Sequence, residues 1–368
     1  MARVLDWRGS ADQRGLVRQA LEILRRGGSV CFPTETVYMG AASAHSPEAI
    51  VRLARFAERP LSVAVRNTAE AVDWSPTLSE LGRRLTRRCW PGPVELICDY
   101  SSASAASSLP EPSRRHVLAD DAVRLSSPAH DAIRLALMEM PDPVVLVGAN
   151  RIDQTEVYSA ATAVETLGAT VDLILDDGPT RYSQPDTVVR IAGEGWSIVR
   201  PGVVSESLLH RQSAFLVVFV CTGNTCRSPL AEASCKRLLA EQLQCDPVEL
   251  AERGFQVNSA GLSAIMGDSA TAEAVLAARE LGVDLSGHRS MPLTRELADK
   301  ADCIVAMTQG HLLTIAYYHP DAVERSILLR ADGADVADPI GCEFEVYRSC
   351  AAEISEQLRP LVSKWIKK

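Results

Sequence analysis

No apolar run in this 368-residue sequence approaches the roughly 20 residues that a membrane-spanning helix needs, so no membrane partner is expected. The opening residues, MARVLDWRGSADQRG, contain no apolar stretch like that of a secretory leader. None of the ten cysteines (at 31, 89, 98, 221, 226, 235, 245, 303, 342 and 350) falls in a Cys-x-x-Cys pair, and they are too sparse for a small disulfide scaffold. A reducing, cytoplasmic setting is the expectation, with most thiols serving as buried packing. A basic excess is also missing. The net charge of −9 argues against nucleic-acid binding over the whole surface, because counterion release requires a basic face, but it leaves room for a local patch. The seven histidines form no ligand-spaced cluster, so no metal site is expected. No internal repeat is evident.

What is present fits a soluble globular protein of two domains: 46% hydrophobic and 23% charged residues in a chain too long for one ordinary core. The fold class is α/β in both halves. Leu16, Ala20, Leu21 and Leu24 predict a helix over Gly15 to Arg26, and Ser29 to Phe32 opens an extended segment. Ser101 to Ser108, followed by Leu109-Pro110-Glu111-Pro112, reads as a loop. Pro143 to Val147 and Val171 to Leu175 read as buried strands. Arg83, Arg84, Arg87 and Arg88 share a helical spacing, which suits a solvated helix face or a contact for nucleotide or RNA phosphates. The pattern breaks over Ser205 to Ser213, placing a boundary near residue 210, with domains at 1–208 and 214–368.

The second half opens with a strand, Phe215 to Val220, which runs directly into Cys221-Thr222-Gly223-Asn224-Thr225-Cys226-Arg227-Ser228-Pro229. A helix follows, with Leu230, Ala231, Leu238 and Leu239 on its apolar side; Ser228 suits its N-cap and Pro229 its first position. A loop of five residues between Cys221 and Arg227 must curl its N–H groups inward, and Gly223 relaxes the steric limits on that curl. The helix amino terminus adds positive potential, and Arg227 offers a planar fork for two phosphate oxygens. Such surroundings lower the pKa of Cys221, making a thiolate available to attack phosphorus. The expected chemistry is a phosphocysteine intermediate, formed and then hydrolysed by water.

This stretch closely resembles the low-molecular-weight protein phosphatases. So do Asn258-Ser259-Ala260-Gly261, Gly287-His288-Arg289, Ala301 to Met307 and Asp338-Pro339, and the likeness covers nearly all of residues 214 to 366. The resemblance implies a parallel-sheet α/β fold and Asp338 as the general acid that protonates the leaving group. Asp332 and Asp335, without a following proline, read as loop carboxylates. It implies that Ser228 donates its hydroxyl to the thiolate, and that Asn224, Ser259 and His288 form the polar network fixing the loop. It also implies that Cys226 can form a reversible disulfide with Cys221; packing within the loop is the other reading. No cofactor is implied, and the partner is a phosphorylated protein.

The substrate stays open between phosphoarginine and phosphotyrosine. Members acting on phosphotyrosine usually carry a bulky aliphatic residue where this chain has Thr225, and the loop resembles that of bacterial protein-arginine phosphatases. Ile340, after Asp338-Pro339, supplies no stacking surface for a ring or a guanidinium. Cys303 reads as buried and Met307 occupies the end of its strand, which argues against the thiol relay of the related arsenate reductases.

In the first half, Pro33-Thr34-Glu35-Thr36-Val37-Tyr38, Trp90-Pro91-Gly92-Pro93, Val123-Arg124-Leu125, Ala149-Asn150 and Val199-Arg200-Pro201-Gly202 occur in a telling order. Together they resemble the YrdC-like threonylcarbamoyl-adenylate synthases, which activate threonine for tRNA modification using bicarbonate and ATP. The likeness spans roughly residues 12 to 205 and implies a twisted α/β sheet around a concave cleft. It places Thr34, Arg59, Arg124, Asn150 and Arg200 in that cleft. Several of the family's polar ligands are altered. Lys-x-Arg reads Ala57-Glu58-Arg59, the hydroxyls before Ala149-Asn150 are lost, Asp186 replaces a serine, Glu95 a threonine and Met39 a glycine. ATP is the cofactor the resemblance implies, and these changes weaken its binding; each lost charged hydrogen bond costs about 1.5–3 kcal/mol. Three roles remain for this half: synthase, cleft binding a nucleotide, an RNA end or a peptide, and scaffold.

Overall fold

The protein is described as a computed structural model covering residues 1–57, 60–148 and 157–367. Two of the expected cleft residues, Arg59 and Asn150, lie outside the described residues. The chain forms two compact units, Met1–Gln212 and Ser213–Lys368.

The first unit is built on a mixed 11-stranded sheet. At its centre the strand Ser29–Pro33 pairs antiparallel with Tyr38–Ser43 and parallel with Leu173–Asp176. Both central strands are buried at every residue, as strands covered on two faces should be. Helix Gln13–Arg25 buries Val17, Ala20, Leu21 and Leu24. It starts ahead of Gly15 because the Asp12 carboxylate accepts the Gly15 amide and caps the amino terminus. The strand expected from Val171 begins at Leu173, since the Val171 amide still bonds Leu167 O, at the end of the preceding helix. Part of the expected 101–108 loop is a short 3-10 turn, Ala105–Ser108, capped by the Ser104 hydroxyl. The four arginines lie on helix Glu80–Cys89, where Arg83 pairs with Glu80 and Arg88 donates to Gln212 O.

The second unit has four parallel strands in the order Phe255–Gly261, Phe215–Cys221, Cys303–Ala306, Ser326–Leu328. Alternate residues of Phe215–Cys221 enter opposite cores. Val217, Phe219 and Cys221 pack with helices Arg227–Leu243, Ala272–Glu280 and Phe344–Ile366, whereas Leu216, Val218 and Val220 pack toward Ala298 and Ile315. Cys221 therefore ends a central strand at the carboxyl edge of a parallel sheet, where open α/β folds bind ligands.

Two sequence expectations about the loop are corrected here. The helix begins at Arg227, with Cys226 in the cap position and no side-chain cap, so neither Ser228 nor Pro229 sits where its type suggests. Ser228 is instead engaged by Asn224 and Cys221, which removes its hydroxyl from capping duty. The left-handed residue of the loop is Asn224, at φ +57°. Asparagine tolerates that region, and its side chain is anchored on three sides. A Cβ built on Gly223 would meet only Thr225 Oγ1, at 3.5 Å.

Candidate functional site

The loop wraps around the Cys221 sulfur. The Asn224 amide donates to Sγ at 3.3 Å, and Ser228 Oγ lies 2.9 Å from it. Asn224 Nδ2 donates to Ser228 Oγ (2.9 Å) and to Ser259 Oγ (2.8 Å), and the single Ser228 proton is left to the sulfur or to Ala260 O at 3.3 Å. Ser259 in turn donates to Glu232 Oε2 at 2.6 Å. The Asn224 backbone carbonyl meets His288 Nε2 at 2.7 Å, and its Oδ1 accepts the Met291 amide at 2.9 Å. Every polar group of Asn224 is thus spent on holding one left-handed residue. Such a network is worth more intact than its separate bonds suggest.

Arg227 is the first residue of the helix, with a side chain only 5% exposed. Its Nη1 donates to Val336 O at 3.1 Å and its Nη2 to Asp338 Oδ2 at 2.5 Å. The Asp338 carboxyl is 42% exposed, so one face of the pair opens to solvent. Its neighbours on the same segment do other work. Asp332 pairs with Arg330, which holds its carboxyl down at about 2, and Asp335 accepts the Gln309 amide. Cys226 is a free thiol whose Sγ lies 3.5 Å from Thr271 Oγ1 and 3.8 Å from Tyr347 Oη. Thr225 is half-buried, and its carbonyl accepts the Thr271 amide. Thr222 is exposed and lies 3.0 Å, through Oγ1, from His311 Nε2.

In the first unit Arg124 forms an ion pair with Glu95, each side chain only 9% exposed. Thr34 Oγ1 donates to Val37 O, and the Thr36 hydroxyl donates to Asp186 Oδ1 at 2.8 Å. Burial, then the nearby Glu35 carboxyl, pushes Asp186 up to about 7. Arg200 reaches Asp186 O at 3.4 Å. Among the described residues, the space lined by Val37, Met39, Ser62, Glu95, Arg124 and Arg200 is about 50 Å³.

Residues 216–368 match the family model for low molecular weight phosphotyrosine protein phosphatase, and residues 22–202 match the Sua5, YciO and YrdC model, described as telomere recombination. A protein-arginine-phosphatase from Geobacillus stearothermophilus is 37% identical over 155 residues, which is 41% of this chain and 95% of the relative. The chain belongs to the low molecular weight phosphatase family. Its first unit is a Sua5/YrdC domain. There a threonylcarbamoyl-AMP synthase from Pyrococcus abyssi is 29% identical over 191 residues, 50% of this chain but 54% of the relative, so the chain spans about half the length of that synthase. A solved Sua5 structure from the same organism aligns over 98% of this chain and 97% of its own, at 18% identity and TM-score 0.51, which is agreement in fold alone.

This phosphatase unit gathers Cys221, Arg227, Asp338, Asn224, Ser228, Ser259 and His288 into one connected site. The Sua5/YrdC unit brings Arg124 and Arg200 to one small cavity, while Thr34 lines a second cavity, of about 410 Å³, with Pro33, Glu35 and His130. Four participants carry no sequence signal of their own: Glu232 behind Ser259, Thr271 and Tyr347 around Cys226, and His311 against Thr222. Only the folded contact distinguishes them from ordinary helix residues. No helix among the described residues is long and apolar enough to cross a membrane.

Proposed function

We propose that the phosphatase unit removes phosphoryl groups from phosphoarginine in proteins, and that the Sua5/YrdC unit has lost the synthase reaction. The first reading is carried by Cys221 Sγ, which receives the Asn224 amide at 3.3 Å and stands 2.9 Å from Ser228 Oγ, beside Arg227 and Asp338. In the first step the thiolate attacks phosphorus, the S–P bond forms, and the bond from phosphorus to the leaving nitrogen breaks. Asp338 gives its proton to that nitrogen. In the second step water attacks phosphorus, its proton passes to Asp338, and the S–P bond breaks. The thiolate then leaves with the Ser228 hydroxyl hydrogen-bonded to it. The amides of the loop and Arg227 face the phosphoryl oxygens throughout. No cofactor enters either step.

Phosphoarginine rests on Thr225, whose small hydroxyl side chain leaves room for a planar guanidinium, and on the named activity of the Geobacillus relative. Kinetic comparison of phosphoarginine and phosphotyrosine peptides on one scaffold tests it. Phosphoarginine is expected to have the higher kcat/KM, and Thr225→Ile to shift the ratio toward phosphotyrosine. Equal ratios before and after that change would remove the substrate assignment.

Tested against ATP, the residues of the first unit do not fit. Arg124 is committed to Glu95, and the Asp186 carboxyl adds negative charge near Arg200, where a triphosphate would add more. The domain keeps the fold and serves the phosphatase as a scaffold or as a site for RNA or a peptide. Incubation of the whole protein with ATP, threonine and bicarbonate is expected to release no pyrophosphate; steady release would restore the synthase reading. Ten free cysteines support the proposal of a reducing, cytoplasmic setting.

A further inference from the structure

Outside the residues already assigned, one buried polar side chain reaches the phosphate loop. His311 lies in the first turn of helix Gln309–Tyr318, whose N-cap Thr308 accepts its amide at 3.1 Å. The residue is 8% exposed, and its Nε2 is 3.0 Å from Thr222 Oγ1. Its Nδ1 has no hydrogen-bond partner among the described residues. A buried unpaired nitrogen carries a desolvation cost that a leucine would avoid, so the ring needs a reason to be there.

Thr222 follows the nucleophile directly. Its carbonyl accepts the Ser263 amide at 2.9 Å, and the Cys221 carbonyl accepts the Leu262 amide at 3.0 Å. The strand side of the loop is thereby tied down, and the Thr222 side chain is the tie on the other side. The groups facing the imidazole are the cation of Arg227 and the carboxylates of Asp338 and Asp335. Burial, then Arg227, pushes the ring down to about 4 against the smaller opposing pull of the two carboxylates, so it is neutral at working pH. A neutral ring adds no second cation against Arg227. The Thr222 hydroxyl can donate or accept, so either tautomer completes the bond.

We propose that His311 is a positioning residue of the phosphatase: through its hydrogen bond to Thr222 it fixes the loop backbone beside Cys221 and so the aim of the amides that bind the phosphoryl group. This rests on the phosphatase reading of Cys221. It makes Thr222 and His311 one functional unit, acting at a distance of one residue from the reacting sulfur.

The test is a double-mutant cycle in the full-length protein. His311→Leu and Thr222→Val are each expected to lower kcat/KM for para-nitrophenyl phosphate about three- to tenfold and to raise the inhibition constant of inorganic phosphate by a similar factor. The double variant is expected to be no worse than either single one, because both remove the same bond. His311→Gln, which keeps a polar partner, is expected to recover most of the loss. The pH midpoint for alkylation of Cys221 by iodoacetamide should rise in His311→Leu and Thr222→Val, a readout that loss of packing alone would not move. Thr222 is exposed, so its variant reports on the bond even where His311→Leu folds poorly. Additive losses, or single variants with native phosphate inhibition and a native alkylation profile, would overturn the proposal. If Cys221→Ser still turned over substrate, the phosphatase reading itself would fail; an inactive Cys221→Ser beside fully active His311 variants would sink only the role of His311.

Discussion

Arg227 donates to Asp338 at 2.5 Å, so the residue expected to hold phosphate and the residue expected to protonate the leaving group hold each other. A phosphoryl dianion entering the loop competes with the Asp338 carboxylate for the same guanidinium. Substrate binding is therefore expected to loosen the pair.

That competition predicts opposite effects of one substitution. Asp338→Ala is expected to lower kcat on aryl phosphates by about 10²–10⁴, as for loss of a general acid, while tightening inorganic phosphate because Arg227 no longer has a rival anion. Steady-state kinetics with phosphate as a competitive inhibitor measures both. Weaker phosphate binding in this variant would show that the ion pair organises the site instead of competing for it.

Cys221→Ser is expected to abolish turnover while leaving the loop able to bind phosphate, since the network through Asn224 does not require the sulfur. Calorimetric titration with phosphate, alongside an aryl phosphate assay, separates the two. Turnover at the native rate would end the phosphocysteine account.

Asn224 combines an unusual backbone angle with a fully used side chain, and two substitutions pull these apart. Asn224→Gly keeps the angle free of cost and removes the network; Asn224→Ala removes the network and adds left-handed strain of about 1 kcal/mol. Both should lower activity and stability, with alanine the lower in melting temperature. Equal melting temperatures would mean that the backbone angle relaxes without its side-chain anchors.

In the Sua5/YrdC unit the raised Asp186 gives a pH signature. Its carboxyl titrates near 7 in the folded unit against about 3.8 unfolded, so the folded state binds the extra proton between those values. The stability this confers is full below pH 4 and is lost as pH rises through 7. Asp186→Asn, which keeps an oxygen for the Thr36 hydroxyl, is therefore expected to raise the melting temperature of this unit at pH 8 by the equivalent of about 4 kcal/mol and to change little at pH 4. A gain of equal size at both pH values would exclude ionisation as the cause.

Much of the catalytic site was legible in the sequence because its parts are contiguous. A strand ending in Cys221, five residues, Arg227 and a helix form a mechanical unit that reads as an anion cradle, which the family likeness makes a phosphate site. Roles spread over distant segments were legible only through family likeness, as with Asp338, Ser259 and His288. Propensity misled at Ser228, which looks like a cap but is held instead by tertiary bonds to Asn224 and Cys221. His311 was invisible because its partner lies 89 residues away. Glu95 and Arg124 stood out singly, but their pairing depends on how two antiparallel strands are aligned, Ile97 facing Arg124, which no residue in isolation encodes.

The Glu95–Arg124 pair gives the first unit a built-in occupant for its buried guanidinium. A carboxylate attached to the neighbouring strand is present at a local concentration on the order of millimolar or higher, and any free anion must outbid it at every encounter. Deleting the tethered acid would not simply vacate the spot, because a lone guanidinium left in so dry a place typically costs about 3–5 kcal/mol. Opening this spot to a soluble anion thus calls for changes that admit water as well as ligand, which no single substitution of the pair supplies.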